Sequence, residues 1–288
     1  MAEGSIKRIQ VVKVTGAEGL IFPDVLAVEE PLEIRLDYGL PGERKVQNIS
    51  VTMRTPGQDD ELATGFLFTE NIIKNKEDIA SVEYCFIACA ENKENVIQVS
   101  LREGVEPELR NTERNFYTTS SCGVCGKGSI GALRTVSAVK QKDDKFFINP
   151  EILYGLPDTL QQHQQVFADT GGLHASALFD KNGELLLARE DVGRHNALDK
   201  LIGASIAKGW LPLGQNILLL SGRASFELVQ KAIMAGINII ASVGAPSSLA
   251  VELAEEFNIT LAGFLRNHRF NIYTGAQRIL LPIHENTP

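Results

Sequence analysis

Apolar and polar positions change their rhythm partway along the chain. In the first part, "ERKVQNISVTMRT" (43–55) alternates apolar and polar positions as a half-buried strand does. "TPGQDDELATGFLFTENII" (55–73) then opens a helix. Asp59, Asp60 and Glu61 sit at the positive end of its dipole, and Leu62, Phe66 and Ile73 supply an apolar stripe. "SVEYCFIACAENKENVIQVSLREG" (81–104) predicts a hairpin, with two apolar runs joined by polar "ENKEN".

From about Phe167 the pattern becomes strand–helix alternation. "HASALFDKNGELLLARE" (174–190) predicts a hairpin turning at Asn182-Gly183. "RHNALDKLIGASIAKG" (194–209) predicts a helix with Ala197, Leu198, Leu201, Ile202 and Ile206 inward. Strand "NILLLSG", helix "SFELVQKAIMAGI" capped by Ser225, strand "NIIASVG", helix "SSLAVELAEEFN" and strand "ITLAGFL" follow, and "FNIYTG" closes the set. This order implies a partly parallel sheet covered on both faces. The expected class is α/β: a three-layer domain over 121–288, preceded by a smaller α+β domain over 1–120.

Composition narrows the function classes. The 288 residues carry a net charge of −8, which opposes generic binding to nucleic acid or to anionic membranes. No apolar run approaches the roughly 20 residues of a membrane span, and "MAEGSIKRIQ" lacks a signal-peptide core. A cytoplasmic protein is expected, with no nucleic acid and no membrane among its partners. Cysteine occurs four times, at Cys85, Cys89, Cys122 and Cys125, too sparsely for a disulfide scaffold.

Three strand-to-helix junctions carry small or hydroxyl residues: "DVGRHN" (191–196), "SGRAS" (221–225) and "VGAPSS" (243–248). A glycine turn, Gly171-Gly172, leads toward His174. Helix starts with glycine accept anions on free N–H groups; ordinary capping competes for each junction taken alone. No carboxylate occurs between Glu256 and Glu285, where Arg266, His268, Arg269 and Arg278 fall. Phe270 and Tyr273 in that stretch could stack on a base, with Thr274 and Gly275 as donors. A phosphate-bearing nucleotide fits this mixture, and a solvated basic face is the alternative.

The sharpest local signal is "SSCGVCGKGS" (120–129), near the expected domain boundary. Structural zinc would need two further soft ligands, and Cys85 and Cys89 in "YCFIAC" read as one core-facing side of a strand. A thioredoxin-type dithiol needs a helix that Gly123, Gly126 and Gly128 break up. A thiolate on a mobile loop that accepts and delivers sulfur remains, beside an inert loop.

"SSCGVCGKGS" resembles the hallmark of the formate dehydrogenase accessory sulfurtransferase family, FdhD. So do "EEPLEIRL" (29–36), "MRTPGQDDELATGFLFTENII" (53–73), "FADTGGLHASALFD" (167–180), "REDVGRHNALDKLIG" (189–203), "LSGRASFELVQKAIMAGI" (220–237), "APSSLAVELA" (245–254) and "FNIYTG" (270–275). The resemblance implies that sulfur passes from a cysteine desulfurase, as a persulfide on Cys122 with Cys125 as partner thiol. Its destination is the molybdenum (or tungsten) bis-guanine dinucleotide cofactor, Mo-bis(molybdopterin guanine dinucleotide), of apo formate dehydrogenase. It places the cofactor on Phe270, Asn271, Ile272, Tyr273, Thr274 and Gly275. Arg269, Gly171, Gly172, His174, Ser221, Gly222 and Arg223 join that candidate set, GDP-like fragments are expected to bind, and no structural metal is implied. A homodimer suits a ligand with two guanine arms. The family's second domain is similar to the cytidine deaminase fold. This chain has "RHNALD" and "SGRASFEL" where a deaminase carries H-x-E and P-C-x-x-C, so it has no zinc site of that kind. The alternative within the family is a non-catalytic cofactor-binding chaperone whose thiols sense redox state.

Overall fold

The computed structural model describes residues 4–85, 95–109 and 146–282. Cys89, Cys122, Cys125, the loop 120–129 and the expected boundary at 120/121 lie outside the described residues.

Strands β1 (Ile6–Thr15) and β2 (Glu18–Ala27) form a two-stranded ribbon. β3 (Glu30–Tyr38), β4 (Lys45–Arg54), helix α1 (Asp59–Thr69), β5 (Ile79–Tyr84) and β6 (Val96–Leu101) follow. Their four strands make a sheet of order β4-β3-β6-β5, in which only β3 and β6 run parallel. After α2 (Pro150–His163) and α3 (Gln165–Thr170) come β7 (His174–Phe179), β8 (Leu185–Asp191), α4 (Arg194–Ala207), β9 (Ile217–Leu220) and α5 (Phe226–Met234). The chain continues through β10 (Ile239–Ser242), α6 (Ser248–Glu256), β11 (Thr260–Arg266) and β12 (Arg269–Thr274). These strands build a six-stranded sheet of order β12-β11-β10-β9-β7-β8; β9, β10 and β11 are parallel and the other pairings antiparallel.

The expected α/β architecture is realised in the second part. The β7–β8 hairpin turns at Asn182-Gly183, where the Asp180 carboxylate accepts the N–H groups of Asn182 and Glu184 at 2.8 Å each and Gly183 takes φ 83°. Period-two alternation sorts the sheet's side chains into two cores. Ala177, Leu219, Ile239 and Ala241 face Leu153, Leu156 and Leu160 of α2. Leu178, Leu218, Ile240 and Leu261 face the other way, into a cluster with α4, α5 and α6 that continues through Leu62 and Leu67 of α1 to Leu32 and Ile34 of β3. The two sheets therefore share one core across α1 and α4.

All five predicted inward residues of α4 are buried, and so are Asn196, Asp199, Lys200 and Ser205 on its other faces. A helix wrapped on every side can hold charges only as pairs. Lys231 Nζ meets Asp199 at 2.9 Å and Lys200 Nζ meets Asp191 at 2.7 Å. Asp59 begins α1 as predicted but is 1% exposed, bound by Arg54 at 2.8 Å rather than solvated. Cys85 is a correction: it is half-buried, with its thiol 3.4 Å from Gln98 Oε1, not packed in the apolar core. Among the described residues, no helix is long and apolar enough to cross a membrane.

Candidate functional site

β9 and β10 end side by side, and each leads through a glycine turn into a helix. β7 runs antiparallel to β9, so its first residues arrive at the same end: Ala175 N donates to Ser221 Oγ at 2.8 Å, and Ser221 N to Ala175 O at 3.0 Å. Strand pairing sets His174 opposite Asp191, and α4 starts at Arg194 just beyond. Pairing continues past the sheet, with Gly244 N donating to Gly222 O at 2.9 Å and Ser247 N to Ala224 O at 3.0 Å. His174, Arg194, His195, Ser221, Gly222, Arg223 and Gly244 thus converge at the carboxyl ends of parallel strands, where helix starts point their N–H groups. A side chain would be crowded at two glycines here. A Cβ on Gly222 would meet the His174 ring at 3.3 Å, and one on Gly244 would meet Arg223 N at 3.0 Å.

The start of α4 is held from the other sheet. Thr55, just after β4, uses all three of its polar groups: its N–H donates to Asp191 Oδ2 at 3.1 Å, its carbonyl accepts from Lys200 Nζ at 2.8 Å, and its hydroxyl accepts from Val192 N at 3.2 Å. Asn196 Nδ2 donates to Met53 O at 2.7 Å and to Asp191 Oδ1 at 3.1 Å, and Gly193 N donates to the same Oδ1 at 2.8 Å. Asp191 therefore fixes the turn that aims Arg194 and His195. Glu61, at the start of α1, pairs with Arg189.

The crevice is rich in positive charge. His195 Nε2 lies 3.5 Å from Ser225 Oγ and 3.8 Å from Glu227 Oε2. Burial pushes the Glu227 carboxyl up, but hydrogen bonds from His195, its own N–H and Ser225 outweigh this and bring it down to about 2. Burial, followed by the charges of Arg194 and His195, lowers the His174 pKa against the opposing pull of Asp191. Arg194 has a buried Nε with no partner, and Arg223 is exposed; neither meets a carboxylate among the described residues. Glu227 is a site residue that sequence reading missed; its spacing two residues after the Ser225 cap is the available signal.

The remaining candidates are distributed differently. Gly171, at φ 65°, caps the carboxyl end of α3, and Gly172 lies against Ala27 of β2, where an added Cβ would meet Ala27 Cβ at 3.8 Å. On β12, Arg269 pairs with Arg266 at the crevice end, whereas Thr274 pairs with Leu261 at the opposite end. Phe270 is not an open stacking face: its ring lies 5.6 Å from that of Tyr154, and with Ile272 it packs on the α2 side of the sheet. Asn271 is exposed, and Tyr273 is 38% exposed above Gly263. Thr274 Oγ1 donates to Ile259 O at 2.8 Å, and Gly275 O accepts from Thr260 Oγ1 at 2.7 Å. Of the carboxylate-free stretch, Arg278 is buried and donates to Asn258 O at 2.7 Å, so it is not part of a solvated basic face. A groove of about 320 Å³ beside Glu255, Asn258, Tyr273, Thr274 and Gly275 marks that far end. Residues 269–275 thus span two ends of the sheet, with Arg269 at the crevice end and Thr274 at the other, and Gly263 brings the Tyr273 ring close to Gly244 and Pro246 of the β10–α6 turn.

Comparison with known proteins places these features in a family. The profile of the FdhD/NarQ family matches residues 27–280. The sulfur carrier protein FdhD of Mycolicibacterium paratuberculosis is 51% identical over 276 residues, covering 94% of this chain and 98% of that protein. The protein of the same name from Streptomyces coelicolor is 49% identical over 278 residues, covering 96% of each. A crystal structure described as a formate dehydrogenase accessory protein from Desulfotalea psychrophila shares the fold at a TM-score of 0.71, with 24% identity over 96% of this chain and 99% of that one. The chain belongs to the FdhD/NarQ family.

Proposed function

We propose that this protein is a cytoplasmic sulfurtransferase that delivers sulfur to the molybdenum or tungsten bis-guanine dinucleotide cofactor of formate dehydrogenase. The names of its relatives support sulfur carriage. The observation that carries the cofactor half of the reading is the crevice: three helix starts, with Arg194 and Arg223 paired to no carboxylate among the described residues, in a chain of net charge −8. Such a site suits the phosphates of guanine dinucleotide arms.

The chemistry falls to Cys122 and Cys125. The Cys122 thiolate attacks the outer sulfur of a desulfurase persulfide; a sulfur–sulfur bond forms to Cys122 and the donor cysteine leaves as thiolate. Attack of the Cys125 thiolate on Cys122 Sγ then forms the Cys122–Cys125 disulfide and expels the outer sulfur, with its bonding pair, as sulfide for the metal. A dithiol reductant resets the pair. The cysteine desulfurase, apo formate dehydrogenase and a second copy of the chain are the partners this scheme implies.

The test is a persulfide mass increment on the Cys122 peptide after incubation with a cysteine desulfurase. A parallel arm asks whether Cys122→Ala restores formate dehydrogenase activity in cells lacking the native protein. An increment with no restoration supports transfer. Restoration by Cys122→Ala, or no increment, leaves a cofactor-binding chaperone instead.

A further inference from the structure

β11 runs parallel to β10 and reaches the crevice with an irregularity. Gly263 pairs with Asn271 and Arg266 with Arg269, so β11 advances three residues while β12 moves two. One residue of β11 is extra, a bulge. Regular alternation would set residue 264 on the α2 side of the sheet with Ala262. Leu265 takes that place instead, 1% exposed in the same core cluster as Ala262. Phe264 is turned out, 36% exposed at φ 56°. The left-handed region tolerates asparagine and histidine, as at Asn267 and His268 just beyond, but a bulky phenyl group is an outlier there. Phe264 thus gives up core burial and takes on backbone strain at one position.

The backbone holds this residue beside the anion-binding turns. Phe264 N donates to Gly244 O at 3.1 Å, and a Cβ on Gly244 would meet Arg223 Cγ at 3.0 Å. A Cβ on Gly263 would meet Pro246 Cδ at 2.8 Å and Tyr273 Cε2 at 3.1 Å, so the half-exposed Tyr273 ring and Pro246 lie against the residue before Phe264. An apolar, aromatic rim therefore adjoins the turn that carries Arg223. Bulges next to functional sites re-aim side chains, and strain of this kind is retained where a ligand uses it. We propose that Phe264 is the stacking platform for the purine base of the nucleotide whose phosphates meet Arg223 and the helix starts. The assignment rests on the proposed function and deepens it. Charge and free N–H groups recognise the phosphates, whereas a ring face attracts a base by stacking and does not read its edges. Phe270 cannot fill this role because Tyr154 covers it; Phe264 supplies the open ring.

Isothermal titration of the full chain with GDP, ADP and inorganic pyrophosphate tests this. Phe264→Ala is expected to raise the Kd for GDP and for ADP by a common factor, about tenfold, and to leave that for pyrophosphate unchanged. Phe264→Tyr, which keeps a ring face, should bind all three as wild type does. Phe264→Gly guards against a merely damaged fold. It removes the left-handed penalty that alanine keeps, so its denaturation midpoint should exceed that of Phe264→Ala while its GDP affinity is equally weak. Wild-type GDP affinity in Phe264→Ala, pyrophosphate affinity that falls with that for GDP, or GDP binding restored in Phe264→Gly overturns the platform. Wild type that binds pyrophosphate but neither nucleotide also overturns it and leaves the anion site standing. Wild type that binds none of the three overturns the cofactor site itself, and the platform with it.

Discussion

Gly65 of α1 and Gly203 of α4 meet where the two helices cross, with no room for a side chain on either. A Cβ on Gly65 would lie 1.9 Å from Asp199 O and 2.9 Å from Gly203 N, and one on Gly203 would lie 1.9 Å from Glu61 O. Ordinarily Gly→Ala inside a helix stabilises by about 1 kcal/mol. Here the backbone overlap reverses the sign. Gly65→Ala is expected to lower unfolding stability by about 1–3 kcal/mol or more, read from chemical denaturation. It should also weaken GDP binding, since α4 must shift and carry Arg194 with it.

Arg223 should separate binding from folding. It is exposed and meets no carboxylate among the described residues, so Arg223→Ala is expected to change stability by no more than about 0.5 kcal/mol. Loss of a charge-assisted phosphate contact should still raise the Kd for GDP by about tenfold. Isothermal titration beside a melting curve measures both. Unchanged affinity would remove Arg223 from the site.

His174 predicts a pH dependence. Burial, and then the neighbouring charges of Arg194 and His195, keep its pKa below the ordinary 6.5. The folded protein thus favours the neutral ring, and the stability it contributes is present above 6.5 and lost as pH falls below it. A bound phosphate offsets those neighbouring charges, so GDP binding should take up a proton near the acid side of neutrality. Calorimetry in buffers of different ionisation enthalpy detects that proton, and His174→Gln, which keeps the ligand's own titration, should abolish it.

Lys231 and Asp199 form a buried pair, with Lys231 Nζ also donating to Thr69 Oγ1 at 2.8 Å. Burial raises the Asp199 pKa although Lys231 pulls against it. Asp199→Asn leaves the ammonium only the more distant Glu70, at 3.7 Å, as counter-charge and should destabilise the protein in denaturant unfolding, by less than the about 3–5 kcal/mol of a fully unpaired buried charge, whereas Asp199→Leu with Lys231→Met should recover most of that loss.

Much of this was legible in the residues. The inward set of α4 and the succession of strands and helices from β7 to β12 follow from apolar spacing and turn chemistry, which act over a few positions. The burial of Asp199 and Lys200 was not legible, because a periodic pattern assigns one face to the core, and what covers the others is α1 and α5 around Asp199 and the Thr55 turn with Asp191 around Lys200. Phe270 looked available because its cover, Tyr154, lies on α2, where Gly155 and Pro157 break the helical pattern that would reveal it. The β1–β2 ribbon has no sequence signature for a related reason: side chains apolar on both faces give no inside and outside to read. The crevice residues were nameable from their glycine turns, but only strand order could show that Ser221 and Thr274 sit at opposite ends of the sheet.

Thr55 carries a consequence for how this lineage can change. One residue of the first sheet's return loop satisfies a carboxylate, an ammonium and a backbone amide that belong to the rim of the second. Exchanging the two halves between distant homologues would therefore strand a buried charge at the seam unless both sides of that junction travelled together. Chimeras that preserve it should stay intact, and those that split it should be cleared by cellular proteases before any chemistry is tried.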